Sequence, residues 1–554
     1  MSRAEWSRAV VAYCGLALFL CFPVPFSGEL LGHSDVDVWN HAWGYWYWLD
    51  SLSHGALPWF TPMLKGPDGG VLYFVDPLGA LAALPFSAIF GVSFAYNLVQ
   101  LTRFVFAGLM SHMLCREVTG RGPHCWAAGI AYASSPYLLA EQSNGISEVG
   151  AVGWIPLCLW MAVRAFRDNQ RKDWVLLGLA QGLCSVASFY YGLTTALLIG
   201  GWWVCSFSKE RLKNSVLAGG IAFALAAPFF FLFRASLYPN HEQGIIRRSP
   251  ELNTNLMEHN AVDPREYIMP GDFQSVDFWG LHGERFVHTG YLRLTVICLA
   301  VWVVWRVGRK TLPWVWMAVA SMILGLGPVL WWAEDFVRLG NDVVLLPFGW
   351  IQKAIPQLAI THPSRLSIGA QAIAALFVGW ALVGRSRRVI GVCSALLVVE
   401  TLFLSSARWP MPTSSTKVPE LYFEIRDTED QRGVLDLPAE VGTTMASSRY
   451  FWYQTVHKKT VPYGPDVRAG SSSDAKTFRW LQHATGPMRD RIPAMVDWSV
   501  NRDEIRRNIE ARYGWVIFHP DFAKRAGVDP LFRDALIELL GSPEEKGSLL
   551  YWRL

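Results

Sequence analysis

Apolar runs that approach the ~20 residues needed to cross a bilayer recur along this chain from its first residues to about Ala407, and beyond that point the sequence turns charged and polar. Hydrophobic residues make up 52% of the chain and charged residues 17%, and its mean hydropathy is positive. That balance excludes a disordered chain and places this one among integral membrane proteins. One boundary follows near Arg408: residues 1–407 form a transmembrane domain and residues 408–554 a soluble one.

The formal charge of +4 is modest and its basic residues lie in short loops rather than one patch, which argues against a nucleic-acid partner. Their placement sets topology instead. With Arg3 and Arg8 inside, the basic loops at Arg116/Arg121, Arg164–Lys172, Lys209–Lys213, Arg306–Lys310 and Arg385–Arg388 must face the same side. Eleven spans satisfy this, at about 8–26, 94–115, 124–141, 147–166, 174–190, 191–207, 214–236, 289–306, 312–333, 365–384 and 388–407. The apolar segment 77–91 is shorter and holds Pro77 and Pro85, so it reads as an in-plane or re-entrant helix. The first segment has the basic start of a signal peptide but no small-x-small cleavage site, and reads as an uncleaved first helix. All nine cysteines lie in or beside apolar segments, which implies neither a disulfide nor a thiolate metal site.

This topology puts loop 27–93, loop 237–288, loop 334–364 and the tail on the non-cytoplasmic side. The cytoplasmic loops are too short to build a nucleotide pocket, and the chain has neither a G-x-G-x-x-G at a strand-helix junction nor a phosphate-binding loop. A nucleotide-activated substrate is thereby disfavoured. The first outward loop carries Asp35 and Asp37 beside the aromatic run Trp39 to Trp48. Ionisable groups at a bilayer edge are costly and tend to be functional, and Trp and Tyr mark headgroup depth. Helical spacing puts Asp37, His41, Tyr45 and Trp48 on one face, where a carboxylate could deprotonate an acceptor and aromatics could stack on it. His41, Trp43, Tyr45 and Asp76 are the candidate acceptor or pocket-lining residues. The competing reading is an interfacial amphipathic helix anchored by Trp, with Asp35 as its N-cap.

At the mouth of a later span, Thr361-His362-Pro363-Ser364-Arg365 offers a guanidinium and an imidazole. Guanidinium grips phosphate bidentately, so Arg365 and His362 are candidates to hold a phosphorylated lipid headgroup; the competing reading is snorkelling from a helix end. Arg103, Arg293 and Glu400 fall inside spans, where each needs a partner or water. Arg103 and Arg293 are further candidates for the donor phosphate, with a structural ion pair as the competing reading for Arg103 and a structural role expected of Glu400. Loop 237–288 has enough groups (Glu258, His259, Asp263, Asp272, Asp277, His282, Glu284) to hold a divalent ion with Asp37, although nothing in their spacing demands one.

In the tail, 433–438 and 514–518 read as buried strands, 548–554 as an edge strand, and 474–485, 502–512 and 530–540 as helices, giving a small α/β domain. The aromatic run 450–457 and the loop 463–473 could touch an acceptor; an aromatic core is the default reading for the run. No Ser-His-Asp arrangement stands out.

Several motifs in order resemble the GT-C superfamily of polytopic glycosyltransferases, especially bacterial members with an outward C-terminal domain. They are Asp37-Val38-Trp39-Asn40-His41-Ala42-Trp43, Leu57-Pro58-Trp59-Phe60 with Gly66-Pro67-Asp68-Gly69, Phe94-Ala95-Tyr96-Asn97-Leu98, Phe189-Tyr190-Tyr191-Gly192, Leu324-Gly325-Leu326-Gly327-Pro328 and His362-Pro363-Ser364-Arg365-Leu366. The resemblance implies a polytopic α-helical membrane protein with about eleven transmembrane helices and a small C-terminal α/β soluble domain. It also implies sugar transfer from a polyprenyl-phosphate-linked donor to a lipid, glycan or protein acceptor. An Asp or Glu in the first outward loop serves in catalysis in that superfamily; the role falls on Asp37, with Asp35 the alternate because the resemblance does not fix register to one residue. The family's oligosaccharyltransferases hold a divalent metal and carry a Trp-Trp-Asp-type motif in the soluble domain, which is absent here, and this lowers the expectation of Asn-linked transfer and of a metal. The location implied is a bacterial inner membrane with large loops and tail on the periplasmic side. The competing class is a non-catalytic scaffold or a lipid-glycan transporter retaining the fold; a transporter should show inverted repeats, and none is read here.

Overall fold

A computed structural model describes residues 3–237, 245, 254, 256–258, 260–270, 287–332, 335–355, 360–439, 448–464, 477–478, 498–525, 527–528 and 530–554. The chain divides into two compact units. One comprises Met1–Gly32, Val75–Phe230 and Pro250–Thr413, the other His33–Phe74, Phe231–Ser249 and Ser414–Leu554.

The first unit is helical, and a helix or a pair of helices occupies each segment expected to span. Among the described residues, three are long and apolar enough to cross a membrane by length and composition: Val92–Thr119, Glu148–Asp168 and Lys209–Leu237. The segment expected to lie in-plane is a helix, Pro77–Phe90, of 14 residues. At 1.5 Å per residue it spans roughly 21 Å, short of the ~30 Å hydrocarbon layer.

The segment expected as one span over 124–141 is instead two helices, His124–Ala133 and Pro136–Ser143. Pro136 has no N–H to continue the first helix but suits the first position of the second, where Ser135 caps the Leu138 N–H. The break frees carbonyls in an apolar setting, and Arg293 takes them up. Its guanidinium donates to the carbonyls of Ala131, Ser134 and Leu397 and to the hydroxyl of Thr401, a cation at a helix C-terminus. Glu400 does the converse, accepting the Leu294 and Thr295 N–H groups that begin helix Leu294–Val307, and the Tyr291 hydroxyl at 2.7 Å.

In the second unit, a four-stranded sheet contains β1 (Gly433–Leu437), β2 (Tyr513–Phe518), β3 (Glu544–Lys546) and β4 (Leu549–Arg553), in the order β3-β4-β2-β1. β1 and β2 are parallel and the other pairs antiparallel. Every residue of β1 and β2 is buried, which is why both read as continuous apolar runs. The terminal strand expected at the edge is interior; the charged β3 covers it and takes the edge, where Glu and Lys discourage further pairing. Helices Trp498–Arg512 and Leu531–Leu540 appear where two tail helices were expected. The expected 474–485 helix and 463–473 loop fall largely outside the described residues.

The aromatic helix of the first loop, Val38–Ser53, belongs to this second unit and packs on the tail helix Arg449–His457. Trp43 donates its indole N–H to Gln454 Oε1 at 2.8 Å. Trp39 packs on Trp452 with 6.1 Å between centroids, and Trp43 stacks on Tyr47 at 4.8 Å. The run expected at headgroup depth is therefore interior to the unit, from Trp39 at 0% exposure to Trp46 at 8%. Its partner lies some four hundred residues away in the chain, so composition alone suggested lipid where the structure supplies protein.

Candidate functional site

Asp37 occupies the N-cap position of helix Val38–Ser53, but its side chain does not cap; Oδ1 instead accepts from Asn40 Nδ2 at 3.4 Å. Asp35, expected as the cap in the competing reading, precedes the helix and pairs with Arg525 of the tail at 3.6 Å. Both acids are half-buried. The helical face inferred from spacing is real in part: His41 and Tyr45 both pack against Phe74, at 6.1 and 5.9 Å between centroids. Gly44 lies under the same ring, where a Cβ would fall 2.0 Å from it. His41, Trp43 and Tyr45 thus support the helix that Asp37 begins, and all three are buried.

A second set of ionisable groups lies in the first unit. Arg365, on the turn Pro363–Ser367 leading into helix Ile368–Ala381, is buried and lies between two buried carboxylates. Its Nη1 is 3.4 Å from Glu148 Oε1 and its Nη2 3.9 Å from Glu141 Oε2. The guanidinium also stands 5.0 Å over the Tyr190 ring. Glu141 Oε1 is 2.8 Å from His288 Nδ1, and the His288 and His362 rings are 5.6 Å apart. Thr361 Oγ1 ties His362 Nδ1 and the Tyr190 hydroxyl together, each at 2.9 Å. One guanidinium shared by two acids, with two imidazoles beside it, is expensive to bury and is the kind of assembly that clusters at functional sites.

Arg103 and Asp76, both in the first unit, form a buried ion pair, and Asp76 also caps helix Pro77–Phe90 by accepting from the Gly79 N–H at 3.1 Å. Of the four groups proposed for the donor phosphate, the structure brings Arg365 and His362 together, gives Arg103 a carboxylate partner and sets Arg293 on helix carbonyls. Sequence reasoning missed Glu141, Glu148 and His288. The signal was the polar interruption Glu141-Gln142-Ser143-Asn144-Gly145-Ile146-Ser147-Glu148 between two apolar segments.

Among the described residues, one group has donor atoms close enough to share a metal: Cys115, His124 and Cys125, all buried and within 4.8 Å of one another. No thiolate metal site was expected from the cysteine positions, and the meeting of these groups depends on how two helices pack. Of the oxygen groups weighed for a divalent ion, Asp263 engages Arg265 at 2.9 Å, while His259, Asp272, Asp277, His282 and Glu284 lie outside the described residues.

The chain has the fold of the GT-C glycosyltransferases. It is similar to the archaeal oligosaccharyltransferase AglB from Archaeoglobus fulgidus, solved with an inhibitory peptide and a dolichol-phosphate: TM-score 0.53, 14% identity, over 95% of this chain and 71% of that one. An Archaeoglobus fulgidus oligosaccharyltransferase tethered with an acceptor peptide gives 0.54 at 13% identity, over 96% of this chain and 72% of that one. Arabinofuranosyltransferase AftD from Mycobacteria gives 0.55 at 12% identity, over all of this chain and 40% of the other. No family model and no curated protein matches by sequence.

Proposed function

We propose that this protein transfers a sugar from a polyprenyl-phosphate-linked donor to an acceptor on the non-cytoplasmic face of a bacterial inner membrane, with inversion at the anomeric carbon. Asp37 orients and deprotonates the acceptor nucleophile, which attacks the anomeric carbon as the bond to the lipid phosphate breaks. Arg365 stabilises the departing phosphate, exchanging part of its pairing with Glu141 and Glu148 for phosphate oxygens, and His362 stands beside it. Asp35, already paired with Arg525, is the alternate base. The eleven helical segments complete the crossing, and the tail lies with the large loops on the periplasmic side.

The observation that carries this reading is the buried Arg365–Glu141–Glu148 cluster within a GT-C fold. A buried cation that can exchange carboxylate oxygens for phosphate oxygens is what departure of a lipid phosphate requires, and the similar solved structures include one with a dolichol-phosphate. The test is sugar transfer from polyprenyl-linked donor in membranes containing Asp37→Asn, Asp35→Asn or Arg365→Lys. Asp37→Asn is expected to cost at least about 100-fold, the span of general-base catalysis. Arg365→Lys keeps a charge between the glutamates but loses the fork, and is expected to slow transfer while preserving folding. If both aspartate variants, well expressed, transfer at wild-type rates, the assignment is wrong.

A further inference from the structure

The tail contains a cavity of about 520 Å³ whose lining brings Lys417, Arg449 and Arg525 together against one acid, Asp521. Each cation is held in a different way. Arg449 is clamped between the rings of Trp39 and Tyr453, at 4.9 and 5.8 Å, and donates Nη2 to the Ser415 carbonyl at 3.0 Å. Its Nε is buried and has no acceptor among the described residues, a donor that a ligand oxygen would satisfy. Arg525 lies over Phe522 at 4.8 Å and is steadied by Asp35. Lys417 is exposed at the rim.

The remaining wall is rigid. His519 stacks on Phe522 and parallel to Tyr453, at 4.8 and 5.8 Å with 7° between planes in each case. Asp436, buried in β1, fixes the ring from behind, with Oδ1 2.9 Å from His519 Nε2 and the Tyr422 hydroxyl donating to the same oxygen. Burial pushes the Tyr453 phenol up to about 12, so it stays neutral. The cavity far exceeds what an inorganic ion fills and matches a small organic ligand.

We infer that this cavity binds an anionic sugar, one bearing a carboxylate or a phosphate, through Lys417, Arg449 and Arg525. On the sugar-transfer reading, on which this role rests, the anionic residue belongs to the acceptor. The cavity then serves as its recognition subsite, with Asp37 as the base and Asp35, the alternate, holding Arg525 at the pocket as a positioning residue.

The experiment is calorimetric titration of the full-length protein in detergent micelles with an oligogalacturonide, glucose 6-phosphate, a neutral galacto-oligosaccharide and inorganic phosphate. At least one anionic sugar is expected to bind ten-fold or more tightly than the neutral one, and the arm that binds identifies carboxylate or phosphate. Lys417→Glu is expected to weaken that binding by about 10-fold or more, the worth of a charge-assisted hydrogen bond, while Lys417→Arg retains it. Asp35→Asn is expected to weaken it less and to leave the neutral sugar unaffected. The inference is overturned if both anionic sugars bind no better than the neutral one, if inorganic phosphate alone binds as tightly, or if Lys417→Glu combined with Arg525→Gln leaves affinity unchanged. Transfer is scored separately with Asp37→Asn: anion binding without Asp37-dependent transfer sinks only the catalytic reading, and Asp37-dependent transfer without anion binding sinks only this one.

Discussion

The Asp76–Arg103 pair decides whether Arg103 belongs to the fold or to the donor site. The two side chains are 1% and 7% exposed, so solvent screens them little. In Asp76→Asn the amide oxygen can still accept from the Gly79 N–H and cap helix Pro77–Phe90, but the guanidinium is left buried without its carboxylate, a cost of about 3–5 kcal/mol. Arg103→Met leaves the reverse, a buried carboxylate that keeps its cap, at a similar cost. The double variant buries neither charge, and because neutral replacement of a buried pair is often tolerated, it is expected within about 2 kcal/mol of wild type. The singles would sum to about 6–10 kcal/mol, so the coupling between them is several kcal/mol. Equilibrium unfolding of the four proteins in mixed micelles, followed by tryptophan fluorescence, measures it. Additive single costs would refute the ion-pair argument. A stable, well-folded double variant that no longer uses lipid-linked donor would return Arg103 to the donor site.

Two further outcomes are expected. Burial lowers His457 from its ordinary 6.5 to about 3, so across that window the unfolded chain binds a proton that the folded tail does not. The stability is fully present above pH 6.5 and is lost as pH falls toward 3, by roughly 1.4 kcal/mol per unit at steepest. The protection factors of the β1 and β2 amides, taken against the intrinsic exchange rate at each pH, should therefore fall between pH 7 and 5 by an amount corresponding to about 2 kcal/mol, and His457→Asn should flatten that response; an equal acid response in both proteins would remove His457 as its cause. Arg293→Met takes the guanidinium from the Ala131 and Ser134 carbonyls at the helix break, of which Ser134 keeps the Thr401 hydroxyl, and is expected to cost about 1–3 kcal/mol in the same micelle assay. Its folded fraction should bind donor as wild type does, and a raised KM for donor with unchanged stability would contradict the structural role.

Periodicity and charge placement made the first unit legible: each apolar segment is a helix or a helix pair, and Glu400 and Arg103 have the structural partners that charges inside a span demand. The break at Ser134 was written in Pro136, yet hydropathy ran through it because the residues on both sides are apolar. Glu141 and Glu148 escaped notice because their meeting with Arg365 depends on how distant segments pack, and no local period encodes that. The buried strands β1 and β2 were readable from their apolar runs, whereas the place of β4 in the sheet depended on the short charged strand preceding it. Trp39 to Trp48 misled for a related reason. A belt facing lipid and a core facing another helix share one composition, and it takes contacts such as the bond from Trp43 to Gln454 and the packing of Trp39 on Trp452 to separate them.

That bond joins residues 411 positions apart, and so imposes an order on biogenesis. A ribosome releases the aspartates early, but helix Val38–Ser53 must wait with its tryptophans uncovered until Arg449–His457 has been made. A nascent chain halted anywhere in between carries the proposed base without the scaffold that fixes it, which exposes that helix to quality control until Arg449–His457 arrives to cover it.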